Sequence, residues 1–190
     1  RKTNGAPVSA CSSASMAIAN SAATLLGVFY VGWLGTHIVA LRELPWVLGE
    51  SYARGAAYAI LPLVMVWCCD TAAYGVGRLF GRRRLMPEVS PKKTAEGAWA
   101  GLVAAIGAAF LARATFAPFL TAMDATLLGF LVGVFGQLGD LVESLLKRDS
   151  EAKDTSQLIP GHGGVLDRFD SLFFAAPIAY YYLLYRVVGP

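Results

Sequence analysis

The chain has 190 residues, 56% of them hydrophobic, and only 29 charges: 16 Lys and Arg against 13 Asp and Glu. That is 15% charged, against about 25% in an average globular protein, and the mean hydropathy is +0.53. The balance excludes a disordered chain and a nucleic-acid-binding module driven by net charge, which is only +3, so partners must be argued from where the charges sit. Three cysteines, Cys11 and the adjacent pair Cys68 and Cys69, make neither a disulfide framework nor a zinc spacing. A first residue of Arg1 rather than Met leads us to expect a piece of a longer chain.

Residues 1–16 read as a linker or interfacial segment, with a Ser- and Ala-rich stretch at 9–15, and 1–190 as a single membrane-embedded domain. About 20 mostly apolar residues cross a bilayer as a helix, and five stretches qualify: roughly 17–41, 56–77, 97–118, 124–146 and 171–188. The first is too long for the apolar core of a signal peptide. Nothing alternates with period two over repeated segments, so a membrane barrel is excluded. The predicted fold is all-α, a polytopic membrane bundle of about five helices.

Lys and Arg set the orientation. With a cytoplasmic N-terminus, that side holds Arg1, Lys2, Arg78, Arg82, Arg83, Arg84, Lys92, Lys93, Lys147, Arg148, Lys153 and Arg168, twelve of the 16. The opposite side keeps Arg42, Arg54, Arg113 and Arg186. This topology puts the polar segments 78–96 and 147–170 on one side, where their chemistry can converge.

Ionisable groups inside a span are costly and normally face a protein interior or a wet cavity. Asp70 in the second span and Asp140 with Glu143 in the fourth are such groups; the plain alternative is that they sit at span ends. Asp140, Glu143, Ser144 and Lys147 stand at i, i+3, i+4 and i+7, one face of the fourth helix. Gly133, Gly136 and Gly139 at i, i+3 and i+6 are read as a packing face. Further on, a turn at 161–164 containing His162, Gly163 and Gly164 leaves backbone N–H groups free to approach an anion. Asp167 and Asp170 then open the fifth helix. Carboxylates without a Cys and His set suit a hard cation such as Mg²⁺, not zinc, and Asp140 with Asp167 is the expected metal-binding pair. One or two divalent cations, or a second monovalent ion, fit this reading. His162 is read as a hydrogen-bond or phosphate contact in preference to a general base, and His37 as a packed or pore-facing residue.

The other polar segment begins Asp70-Thr71-Ala72-Ala73-Tyr74, with Asp70 and Tyr74 on one helix face. The triplet Arg82, Arg83 and Arg84 is read as enforcing topology or touching anionic lipid. Lys92 and Lys93, after Ser90-Pro91 and before Thr94, are expected to contact substrate phosphate.

The run SLLKRDSEAKDTSQLIPGHGGVLDRFD over 144–170 resembles the signature of the phosphatidate cytidylyltransferase (CDP-diacylglycerol synthase) family. The stretch 70–97, with DTAAY, GRLFG and SPKKTAEG, is similar to a second block of that family, and the resemblance covers roughly 25–188. It implies an integral-membrane, Mg²⁺-requiring transferase of phospholipid biosynthesis, and a chain that is the C-terminal catalytic part of a longer, typically homodimeric protein. CTP and phosphatidate would give CDP-diacylglycerol and pyrophosphate, with no nucleic acid involved. By resemblance Asp140 and Asp167 hold metal, while Lys147, Arg148, Lys153 and the 161–164 turn hold nucleotide phosphates. Ser144 and Asp154 belong to the same substrate-binding segment, and Arg168 neutralises the lipid phosphate. Lys147 and Arg168 join the two aspartates as catalytic residues. The expected location is a bacterial plasma membrane with a cytoplasmic active site. A CTP-dependent lipid or polyprenol kinase is the second reading, and an ion-coupled transporter with intramembrane carboxylates the third.

Overall fold

A computed structural model describes residues 8–149 and 166–187, with side chains over 16–149 and 169–185. The chain is an all-α polytopic membrane protein with one small hairpin. Helix α1 (Val8–Gly27) runs through a π-helical segment (Val28–Leu34) into α2 (Gly35–Val47). Then come α3 (Arg54–Phe80), strands β1 (Arg84–Met86) and β2 (Ser90–Thr94), α4 (Ala95–Thr115), α5 (Ala122–Asp149) and α6 (Leu166–Tyr182) with a second π-helical segment (Leu183–Val187).

Among the described residues, four helices are long and apolar enough to cross a bilayer: Met16–Val47, Arg54–Phe80, Ala95–Thr115 and Ala122–Asp149. They cover the first four expected spans. The fifth is shorter as a regular helix, 17 residues of α6 followed by five in π form. Large apolar side chains such as Ile18, Leu25, Trp46, Trp99 and Val103 stand on the outside of the bundle, where lipid takes the place of a core.

Neighbouring helices form a closed circuit: α2 packs on α3, α3 on α4, α4 on α5, α5 on α6, and α6 back on α2. Small residues set the spacing, because lipid offers no hydrophobic drive for helices to associate and close backbone approach must supply it. A Cβ on Gly129 would stand 2.7 Å from Ile106 Cα, one on Gly101 would stand 2.9 Å from the Cys69 carbonyl oxygen, and one on Gly139 would stand 2.8 Å from the Asp170 carbonyl oxygen. The glycines of α5 expected to pack therefore do so at Gly133 and Gly139, whereas Gly136 makes ordinary contacts with Val66 and Ser171. Gly139→Ala would push α6 off α5 against backbone that cannot move aside. Overpacking of this kind typically costs about 1–3 kcal/mol, and a lower melting temperature in detergent is the expected result.

The far end of the bundle from Asp140 is held by polar pairs. Thr121 donates from N and Oγ1 to Asp124 Oδ2 at 3.0 and 2.6 Å, and Asp124 N donates back to Thr121 Oγ1 at 3.1 Å, a reciprocal cap at the start of α5. Tyr182 donates to Asp124 Oδ1 at 2.9 Å and so ties the end of α6 to it. His37 is packed, as expected: it is buried between Trp33, Tyr180 and Tyr181, with Nδ1 2.9 Å from the Trp33 carbonyl oxygen.

The polar segment 78–96 is regular structure for much of its length. Helix α3 continues to Phe80, and β1 and β2 pair antiparallel with Arg84 opposite Thr94 and Met86 opposite Ser90, with a register shift between them. Thr94 Oγ1 accepts from Gly97 N at 3.2 Å, capping α4, while the Glu96 carboxylate accepts from the backbone N–H groups of Arg82 and Arg83. Arg84 braces the hairpin by donating to the Pro91 carbonyl at 2.8 Å.

Candidate active site

The polar stripe of α5 meets the hairpin and the start of α6 at one end of the bundle. Asp140, Glu143 and Asp170 each present a ligand oxygen within 4.8 Å of the others. Three carboxylates in so small a space repel one another, and two ammonium groups offset part of that. Lys93 Nζ lies 2.6 Å from Asp140 Oδ2, and Lys147 Nζ lies 2.9 Å from Glu143 Oε2. Glu143 is 1% exposed, so its charge is held by protein groups and not by water. Asp170 Oδ1 also accepts from Ser171 N at 2.6 Å. Asp70, from α3, is in electrostatic reach of Asp140, Asp170 and Lys93.

Each element contributes for a local reason. Helical spacing puts Asp140, Glu143 and Lys147 on one face of α5. Gly139 lets the Asp170 backbone come against α5 beside Asp140. Strand β2 separates the two lysines, because neighbouring strand residues point to opposite faces: Lys93 is half-buried against Asp140 while Lys92 is exposed. Arg148, expected at nucleotide phosphate, is exposed and donates from Nε to the Val89 carbonyl at 3.1 Å, fastening the hairpin turn to the end of α5. Segments 59 residues apart in sequence thus meet at one end of the bundle, as the charge distribution required.

Of the residues singled out from sequence, the structure brings together Asp140, Lys147 and Lys93, with Ser144 half-buried on the same helix. Lys153, Asp154, His162, Gly163 and Gly164 lie outside the described residues. So do the side chains of Asp167 and Arg168, whose backbone lies in α6 one turn ahead of Asp170. Glu143, Asp170 and Asp70 stand in or beside the cluster although the expected metal pair and substrate contacts did not include them. Their signal was present in the intramembrane position of Glu143 and Asp70, and in the i, i+3 relation of Asp167 and Asp170. Tyr74, on the exposed side of α3, accepts a hydrogen bond from Arg78 at 3.2 Å.

An all-oxygen donor set with no histidine or cysteine among its members fits a hard divalent cation. The two lysines beside it are donors suited to phosphate oxygens. A model of the cytidylyltransferase family matches residues 6–186. The chain belongs to that family. It is 40% identical over 191 residues to the phosphatidate cytidylyltransferase of Synechocystis sp., covering 88% of this chain and 63% of that protein. Against the phosphatidate cytidylyltransferase of Bacillus subtilis it is 39% identical over 158 residues, 83% of this chain and 56% of the relative. For that of Haemophilus influenzae the identity is 45% over 157 residues, 75% of this chain and 54% of the relative. The chain therefore spans between half and two thirds of the length of these relatives.

Proposed function

We propose that the protein transfers a cytidylyl group from CTP to phosphatidate, giving CDP-diacylglycerol and pyrophosphate. The observation that carries this reading is the cluster of Asp140, Glu143 and Asp170 with Lys93 and Lys147, set where apolar spans meet a polar hairpin. A phosphatidate oxygen attacks the α-phosphorus of CTP in line, forming a new P–O bond as the bond to the pyrophosphate oxygen breaks. The attacking oxygen is already ionised, so no general base is required. The barrier lies in bringing two anions together, and positioning with charge neutralisation lowers it.

Lys93 and Lys147 present ammonium groups to the phosphates, and their carboxylate partners hold them in place. Asp140 and Asp167 would hold Mg²⁺, with Glu143 and Asp170 beside Asp140. Bound there, Mg²⁺ would neutralise charge on the phosphates and orient them. Arg168 meets the lipid phosphate, and Lys153 with the 161–164 turn meets the nucleotide. The Lys and Arg distribution supports a cytoplasmic site, and bacterial relatives support a plasma membrane. CTP would then arrive from water and phosphatidate laterally from the leaflet.

The test is incubation of the full-length protein in detergent with labelled CTP, phosphatidate and Mg²⁺. A CDP-lipid with stoichiometric pyrophosphate is the expected product; release of CDP with a phosphorylated lipid would instead identify a kinase, and no nucleotide turnover would overturn both. The two lysines give a sharper internal check. Lys93→Ala is expected to lower kcat/KM by roughly a hundredfold, the scale of losing one charged donor at a transferring phosphoryl group. Lys92→Ala, on the exposed face of β2, should cost far less than Lys93→Ala, because its side chain leaves the strand on the face opposite to Lys93.

A further inference from the structure

Tyr30 lies in the π-helical segment of the first span and is 6% exposed, yet its hydroxyl has no hydrogen-bond partner among the described residues. A buried phenol ordinarily finds one, and leaving it without is costly. The ring is fixed against Phe173 and Phe174 of α6, with centroids 5.6 and 5.9 Å away. Those two residues follow Asp170 at i+3 and i+4, on the face that carries its carboxylate. Phe174 in turn packs at Gly139, next to Asp140. Tyr30 is thereby linked through Phe174 to the part of α5 that carries Asp140, and the charges of Asp170, Glu143 and Asp140 act on its hydroxyl. Departures from α-helical winding recur at functional positions, and within this one Tyr30 is buried while Val28, Phe29 and Val31 stay on the outer, lipid-facing surface.

We infer that the Tyr30 hydroxyl binds substrate, donating a hydrogen bond to a terminal phosphate oxygen of the membrane-borne substrate. The chemistry selects this partner. Lys93 and Lys147 approach from the hairpin and from α5 and already engage carboxylates, whereas Tyr30 comes from the first span, whose outer face borders lipid. A phosphate monoester arriving from that side offers several terminal oxygens, each with more than one lone pair, and an O–H donor suits one of them. The inference rests on the proposed cytidylyl transfer for its kinetic test and on lipid binding alone for a second one.

Tyr30→Phe in the full-length protein keeps the ring contacts and removes only the hydroxyl. The expected result is a KM for phosphatidate raised about tenfold, the scale of one hydrogen bond to a charged group, with the KM for CTP unchanged. The melting temperature without substrate should not fall, because no hydrogen bond among the described residues is lost. An unchanged KM for phosphatidate, an equal rise for CTP, or a lower melting temperature would each overturn the inference. Dioctanoyl phosphatidate, with dioctanoyl glycerol as the control without phosphate, separates this from the catalytic reading. Stabilisation of the parent by the phosphatidate but much less of Tyr30→Phe upholds the inference even where no CDP-lipid forms; equal stabilisation of both, or of neither, overturns it.

Discussion

Asp140→Asn is expected to abolish turnover, lowering kcat/KM by roughly a thousandfold or more, the combined scale of losing a charged contact at the reacting phosphates and a metal ligand. Asparagine keeps the size and shape of the side chain but gives up its charge. Two consequences follow together. The carboxylate oxygen that sits 2.6 Å from Lys93 Nζ becomes a neutral amide oxygen, so the lysine loses the partner that positions it. The three-carboxylate set with Glu143 and Asp170 also loses a member and with it the oxygen donors a hard cation requires. The helix is not threatened, since Asp140 is only half-buried and α5 packs through Gly129, Gly133 and Gly139. The check is CDP-lipid formation at saturating Mg²⁺, with the melting temperature in detergent as the folding control. Activity above about a tenth of the parent would overturn the metal assignment, because losing even a hydrogen-bond partner of a metal ligand typically costs about tenfold or more.

How far such a site can be read without coordinates depends on the range of the contacts that build it. Asp140, Glu143 and Lys147 were legible because they share one helix and helical spacing alone aligns them. The spans were legible because lipid demands long apolar helices. The hairpin was not: β1 has three residues and β2 five, too short for alternation to register, and Pro87 and Pro91 disguise them as loop. That omission hid the difference between Lys92 and Lys93, which a strand resolves at once by sending neighbours to opposite faces. Asp170 was visible as a partner of Asp167 in sequence, but its meeting with Asp140 depends on how closely α6 approaches Gly139. Tyr30 had no signal at all, being one aromatic residue in an apolar span that only the packing of the helices shows to be buried.

Lys147→Met is the substitution for which stability and activity are expected to fail together. Lys147 Nζ is 2.9 Å from Glu143 Oε2, and Glu143 is all but fully buried with Asp140 and Asp170 close by. Removing the ammonium leaves a buried carboxylate facing two others, and breaking one side of a buried pair typically costs about 3–5 kcal/mol. Methionine fills much of the same volume, so the loss should come from charge and not from a cavity. A marked fall in melting temperature in detergent, with no detectable CDP-lipid, is the expected result. The companion Glu143→Gln/Lys147→Met removes both charges, and it should recover most of the lost stability because the amide needs no counter-charge. It should not recover activity, since the phosphates still lack the lysine. If the single and double variants melt alike, the pair does not set stability at this end of the bundle. If the double variant regains turnover, Lys147 acts only by supporting Glu143, and the phosphate-binding role passes to Lys93 and the basic residues beyond α5.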